Sequence, residues 1–152
     1  MVTQRTLDVS TKRLRIAELS RRNPNSELTS LNGYLDETWL EESYERLKKG
    51  KAVGVDGEGL ADYGRNLQER LKDLLNRAKS GSYKAPPVRR VEIPKAGGRQ
   101  TRPIGIPTTE DKVLQMGVHM LLEPVYENEF YDFSYGFRSG KSAHQALARI
   151  RD

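Results

Sequence analysis

The sequence predicts an α+β chain, rich in helix, with a single β-hairpin. Three observations carry this. Leu60, Tyr63, Leu67, Leu71, Leu74 and Ala78 recur at intervals of three and four, the spacing of a helix with one apolar face. Val88, Val91 and Ile93, then Ile104 and Ile106, shift toward the shorter period of strands on either side of a Gly-rich turn, Pro94-Lys-Ala-Gly-Gly98. Glycine and proline punctuate every junction between these stretches.

At 152 residues one domain is the default, long enough to enclose one core. The absence of cysteine excludes a disulfide scaffold and Cys-based metal sites. No apolar run exceeds four residues and the first twenty are charged throughout, so neither a membrane span nor a secretory signal is expected, and the product is expected in the cytoplasm.

Taken in order, Thr6 to Arg22 scatters Leu and Ile among cations before Asn23-Pro24-Asn25 stops it, so residues 1–30 are expected to form a weakly anchored helical extension. From Asp36 to Lys49, Trp39, Leu40, Tyr44 and Leu47 share one helical face, with Asp36 as N-cap and Gly50 as left-handed C-cap. Gly50 to Gly59, with four glycines around Val53-Gly-Val-Asp-Gly57, reads as a structured loop in which Asp56 satisfies local N–H groups. The helix from Leu60 follows, closed by Gly81, and most of the core is expected on it. The prolines at 86, 87, 94, 103 and 107 confine the two strands to edges. Thr108 and Asp111 form a Thr-x-x-Asp cap for a helix bearing Val113, Met116, Met120 and Leu121, expected to end just before Pro124. A last helix is expected from near Ser139 through Ala143, Ala146, Leu147 and Ile150, still running at Asp152.

The chain carries 26 Lys and Arg against 21 Asp and Glu, but the excess is local. Residues 79–102 hold seven cations (Lys79, Lys84, Arg89, Arg90, Lys95, Arg99, Arg102) and one acid, Glu92, a balance of +6, leaving −1 for the other 128 residues. Such a segment is either a surface that meets phosphates or a solvated basic face. Within it, Lys95, Arg99 and Arg102 flank Gly97-Gly98, where glycines admit a close ligand, Lys supplies a movable charge and Arg a rigid fork. The tip is furnished to clamp a triphosphate or a nucleic-acid backbone, or is an ordinary basic turn.

Gly136-Phe-Arg-Ser-Gly-Lys-Ser142 ends like a phosphate-binding loop, but Tyr135 stands where that motif needs its first glycine. Backbone-phosphate contact by Arg138 and Lys141 remains. His119 and His144 lack the spacing of a zinc site and are expected to pack or lie at the surface. Tyr126, Phe130, Tyr131, Phe133, Tyr135 and Phe137 suit base stacking or an aromatic knot, and packing is the expectation for most of them.

Four ordered motifs, Val53-Gly-Val-Asp-Gly57, Tyr83-Lys-Ala-Pro-Pro-Val-Arg-Arg-Val-Glu-Ile-Pro-Lys95, Arg102-Pro-Ile-Gly-Ile-Pro107 and Ser134-Tyr-Gly-Phe-Arg-Ser-Gly-Lys-Ser-Ala-His144, resemble the N-terminal part of group II intron-encoded reverse transcriptases, or maturases, from about Leu31 to Asp152. The resemblance implies that residues 31–152 are the fingers region of a right-hand RNA-directed DNA polymerase, a nucleotidyltransferase, behind an N-terminal extension. By position, Lys95 and Arg102 resemble the cations that contact the incoming deoxynucleotide. Family members often have one fewer residue between them, so Arg99 competes with Arg102. Arg89 and Arg90 fall in the basic stripe, and Arg138 and Lys141 in the block near the template. The implied partners are intron or template RNA, primer DNA and deoxynucleotide.

The family's palm carboxylates, which hold the magnesium ions of phosphoryl transfer, fall beyond Asp152, and no Tyr-Ala-Asp-Asp turn is present. The chain alone is therefore expected to hold no metal and not to polymerise, and to be a truncated gene product more readily than one piece of a split reading frame. Apolar faces left without a palm would favour self-association. The alternative reading is a standalone RNA-binding module that uses the stripe from Lys79 to Arg102 with no nucleotide role.

Overall fold

A computed structural model describes residues 8–22, 28–47, 50, 52–98 and 100–151. Among the described residues six α-helices and two strands follow in order: α1 Val9–Arg22, α2 Glu37–Arg46, α3 Leu60–Tyr63, α4 Leu67–Ser80, β1 Arg89–Pro94, β2 Thr101–Ile106, α5 Thr109–Tyr126 and α6 Ala143–Arg151. The class is α+β, helix-rich with one antiparallel hairpin. The chain divides into two compact units, one made of residues up to Leu28 together with those from Leu121 on, the other of Thr29–Met120.

In the second unit, α2 starts where its sequence requires, because the Asp36 carboxylate accepts the Trp39 N–H at 3.0 Å. Trp39 and Leu40 are fully buried. The Trp39 indole donates to the Gly117 carbonyl of α5 at 3.0 Å, and a Cβ on Gly117 would stand 3.2 Å from the Leu40 side chain. That glycine is what lets the two helices approach. α4 adds Leu71, Leu74 and Leu75, and α5 adds Val113 and Met120, so the core is shared among three helices and does not sit mostly on α4.

Four helix boundaries differ from expectation, the start of α6 being described with its unit below. α2 is helical only to Arg46, with Leu47 extended, and Gly50 keeps the left-handed φ of 72°; Lys48 and Lys49 lie outside the described residues. The amphipathic run from Leu60 is not one helix, since residues 64–66 tighten to a 3₁₀ turn between α3 and α4. The break is at Asn66, whose φ of −125° and ψ of 43° leave the helical region, while Gly64 stays helical and must be glycine because the Tyr44 hydroxyl, donating to the Leu60 carbonyl at 2.9 Å, lies 2.3 Å from where a Cβ would stand. α5 runs through Pro124 to Tyr126 instead of ending before it. Past its end the Asn128 amide closes the last turn by donating to the Pro124 carbonyl at 3.0 Å.

The glycine loop docks beneath the hairpin. A Cβ on Gly54 would come within 2.6 Å of the Thr108 Cα and 2.9 Å of the Pro107 carbonyl, so only glycine permits the contact. Asp56 accepts the Glu58 N–H at 3.2 Å, as its place in the turn predicts. Around the loop, Arg89 donates to Val53 O at 2.9 Å, Thr109 to Glu58 O at 2.8 Å and Lys112 to Ala52 O at 2.6 Å. Tyr83, whose hydroxyl donates to Asp111 at 3.0 Å under the Arg77 guanidinium, fixes the chain's entry into β1. Burial, with Asp111 beside it, raises the Tyr83 pKa.

In the first unit, α1 buries Ile16 completely, and Arg13 pairs with Glu123. Asn128 donates to the Ala17 carbonyl at 3.0 Å and accepts from Arg21 at 3.2 Å. The reciprocal bonds of Ser142 and Gln145, 2.8 and 3.3 Å, cap α6 at Ser142. The helix therefore begins at Ala143, later than expected.

Gly54→Ala is expected to lower unfolding free energy by about 1–3 kcal/mol through backbone overpacking. Trp39, the sole tryptophan and fully buried, reports the transition by its fluorescence in a urea titration.

Candidate nucleic-acid interface

The hairpin register decides which way its cations face. Arg89 pairs with Ile106, Val91 with Ile104 and Ile93 with Arg102. The Lys95 N–H donates to Gln100 O at 2.8 Å, extending the ladder by one pair, and Gly97 and Gly98 take positive φ of 101° and 72° in the turn. Opposed residues share a face and alternate residues along a strand repeat it. Arg89, Lys95, Gln100 and Arg102 therefore lie on one face of the ribbon, and Arg90 and Glu92 on the other. The Lys95 ammonium reaches the Gln100 amide oxygen at 3.4 Å, as that register requires.

The two faces differ in charge balance. Arg90 pairs with Glu92 at 2.9 Å, which neutralises the outer face. On the other, Lys95 and Arg102 are exposed and form no ion pair among the described residues; the Lys95 ammonium meets the neutral Gln100 amide instead. Lys95 sits diagonally across from Arg102, a separation of roughly 7–8 Å that long side chains bridge. Arg89, lower on that face, is spent on Val53 O and anchors the ribbon. Arg99 lies outside the described residues. Nothing in the sequence pattern singles out Gln100; its pairing with Lys95 does.

Arg138 and Lys141 belong to the first unit. Arg138, expected at a nucleic-acid contact, turns inward, with its side chain only 9% exposed. Its guanidinium donates to Glu127 at 2.9 Å and to the carbonyls of Tyr131 and Ser134, each at 2.9 Å, and lies 5.0 Å over the Phe130 ring. That hydrogen bonding holds the Glu127 carboxyl below its usual pKa and raises that of Arg138. Lys141 remains exposed, its ammonium 5.4 Å over the Tyr135 ring. With the Ser142 N–H and hydroxyl engaged by Gln145, the Gly140-Lys141-Ser142 stretch acts as a helix cap, not a phosphate cradle. His119 and His144 lie at the surface. Five of the six clustered aromatics are exposed, against the expectation that most would pack.

Among the described residues no helix is long and apolar enough to cross a membrane, and no group of three or more His, Asp or Glu side chains converges as a metal site.

A two-stranded basic ribbon, with one face neutralised and the other carrying uncompensated cations, has the charge arrangement suited to anions. Comparison with known proteins is more specific. No family model matches the chain. The group II intron-encoded protein LtrA of Lactococcus lactis subsp. cremoris is 36% identical over 142 residues, 90% of this chain and 23% of the relative. Protein YkfC of Escherichia coli is 36% identical over 116 residues, covering 74% of this chain and 30% of the relative. A putative COX1/OXI3 intron 1 protein of Saccharomyces cerevisiae is 28% identical over 142 residues, 93% of this chain and 16% of the relative. Over nine-tenths of its length the chain is thus homologous to group II intron-encoded proteins, the family its motifs resemble. It spans less than a third of the length of each of these relatives.

The Glu127–Arg138 pair gives the first unit an acid-sensitive element. A carboxyl held below its usual value of 4.5 contributes stability above that pH and loses it as pH falls through the lowered value. Urea midpoints are expected to fall as pH drops below 4.5 in the native chain, and to fall less steeply in Arg138→Met.

Proposed function

We propose that the chain forms the fingers part of an RNA-directed DNA polymerase of the group II intron type. In this reading its hairpin holds the triphosphate of an incoming deoxynucleotide against template RNA paired with primer DNA. The observation that supports it most is the shared face of Lys95 and Arg102, exposed and without a carboxylate partner among the described residues. A triphosphate carries its charge over three linked groups. An ammonium and a guanidinium on one rigid ribbon face can grip neighbouring phosphates, the guanidinium through two parallel N–H bonds. Gln100 holds the Lys95 head near that position without neutralising it.

The reaction proposed for the complete enzyme is phosphodiester formation. Magnesium ions, when bound in such enzymes, stabilise the attacking and departing oxygens. The described residues do not fit that role, because they bring together no set of three carboxylates or histidines. The contribution proposed for this chain is accordingly binding and orientation, with the metal ligands supplied by sequence outside it.

The test is direct titration of the chain with a deoxynucleoside triphosphate. Lys95→Ala and Arg102→Ala are each expected to weaken binding by about 1.5–3 kcal/mol, the worth of a charge-assisted contact. Arg90→Ala, on the opposite face, should leave it unchanged. Equal affinity across all three variants would remove the nucleotide role and favour the standalone RNA-binding module. RNA affinity should fall with salt by a log–log slope of about −0.7 per phosphate neutralised.

A further inference from the structure

The loop between α5 and α6 displays its aromatic rings. Tyr131 and Phe133 stack with centroids 5.1 Å apart and planes only 3° from parallel, yet they are 72% and 65% exposed. Phe137 is completely exposed, and its φ of 58° is the one positive value outside glycine among the described residues. A bulky residue in the left-handed region is strained, and an exposed ring gains no burial to offset that strain. Glycine would meet the local backbone demand better on both counts. Folding of this loop does not account for a phenylalanine there.

The loop is nonetheless firmly built. Arg138 reaches from the residue next to Phe137 to the carbonyls of Tyr131 and Ser134, while Glu127 at the end of the α5 turn holds its other nitrogens. One guanidinium thus fixes the backbone at both ends of the aromatic segment. The charge divides along the loop: Glu129 and Asp132 lie on its α5 side, whereas residues 133–151 include Arg138, Lys141, Arg149 and Arg151 and no acid. Lys141 and Arg149 are exposed.

We infer that this loop is a stacking platform for unpaired bases of single-stranded RNA, with Tyr131, Phe133 and Phe137 as the ring faces. Lys141 and Arg149 serve the adjoining phosphates, and Arg138 is a positioning residue that touches no nucleotide. Flat rings held parallel in water suit another π face, and stacking of this kind tolerates any base. The cations favour a polyanion over an apolar protein surface, which would have to bury them. The inference rests on the reading that the chain meets RNA, and it adds a second contact to the one proposed for the hairpin.

Phe137→Gly tests it, since that change removes the ring while relieving the backbone. The probes are a labelled single-stranded oligoribonucleotide and an abasic strand of equal length and charge. The variant is expected to unfold at the same or higher urea concentration, to bind the base-bearing strand about tenfold more weakly, and to bind the abasic strand as the native chain does. Tyr131→Ala should behave alike in binding. Unchanged affinity of Phe137→Gly for the base-bearing strand, or equal native affinity for both strands, overturns the platform and leaves the hairpin reading intact. Loss of self-association in sedimentation with RNA binding unaltered would assign the surface to a second copy and equally overturn it. A native chain that binds no RNA removes the platform and the RNA reading together, whereas nucleotide affinity tests the hairpin separately.

Discussion

The backbone contact between Gly54 and Pro107–Thr108 governs the second unit. It brings the glycine loop beneath the hairpin, where Arg89, Thr109 and Lys112 each find a loop carbonyl. A two-stranded ribbon is marginal on its own. Here its base is held by side chains from the strand and from the following helix on carbonyls of the loop, so the tip inherits an orientation that its few ladder bonds would not provide. The location of Lys95 and Arg102 follows from that anchoring and from the register.

Arginines divide into two kinds of work. Arg70, Arg77 and Arg138 pair with Glu58, Glu110 and Glu127 and lie over aromatic rings, so each ties segments distant in sequence through a planar fork and an apolar face at once. Arg102 and Lys95 hold no such pairs among the described residues and stay available to a ligand. A basic count along the chain treats both kinds alike. The position of an acceptor within reach, a carboxylate or for Arg89 a carbonyl, separates the cation that builds from the one left open.

The first unit shows the same economy in its loop. The groups that could have closed into a small core, Tyr131, Phe133 and Phe137, lie outside, and the charged Arg138 lies inside. Leu147 and Ile150 of α6 are exposed as well, so apolar area is left open on this unit. Tyr63 in the other unit shows the reverse arrangement, a fully buried ring whose hydroxyl finds no partner among the described residues and whose pKa burial raises.

The sequence alone determined the features that rest on local chemistry: the Asp36 cap, the glycine turn at 97–98, the left-handed Gly81 after α4, the hairpin and the concentration of cations along it. These depend on neighbours within a few residues and on intrinsic φ preferences, which a linear reading contains. Tertiary structure decided the rest. Residue 64 must be glycine because the Tyr44 hydroxyl fills the space of its Cβ, and Asn128, past the end of α5, donates its amide to the carbonyls of both Pro124 and Ala17. Arg138 turns inward because Glu127 and two carbonyls converge on it, leaving the aromatic rings outside. Each outcome turns on a partner brought close by folding, and spacing along a chain carries no record of that distance.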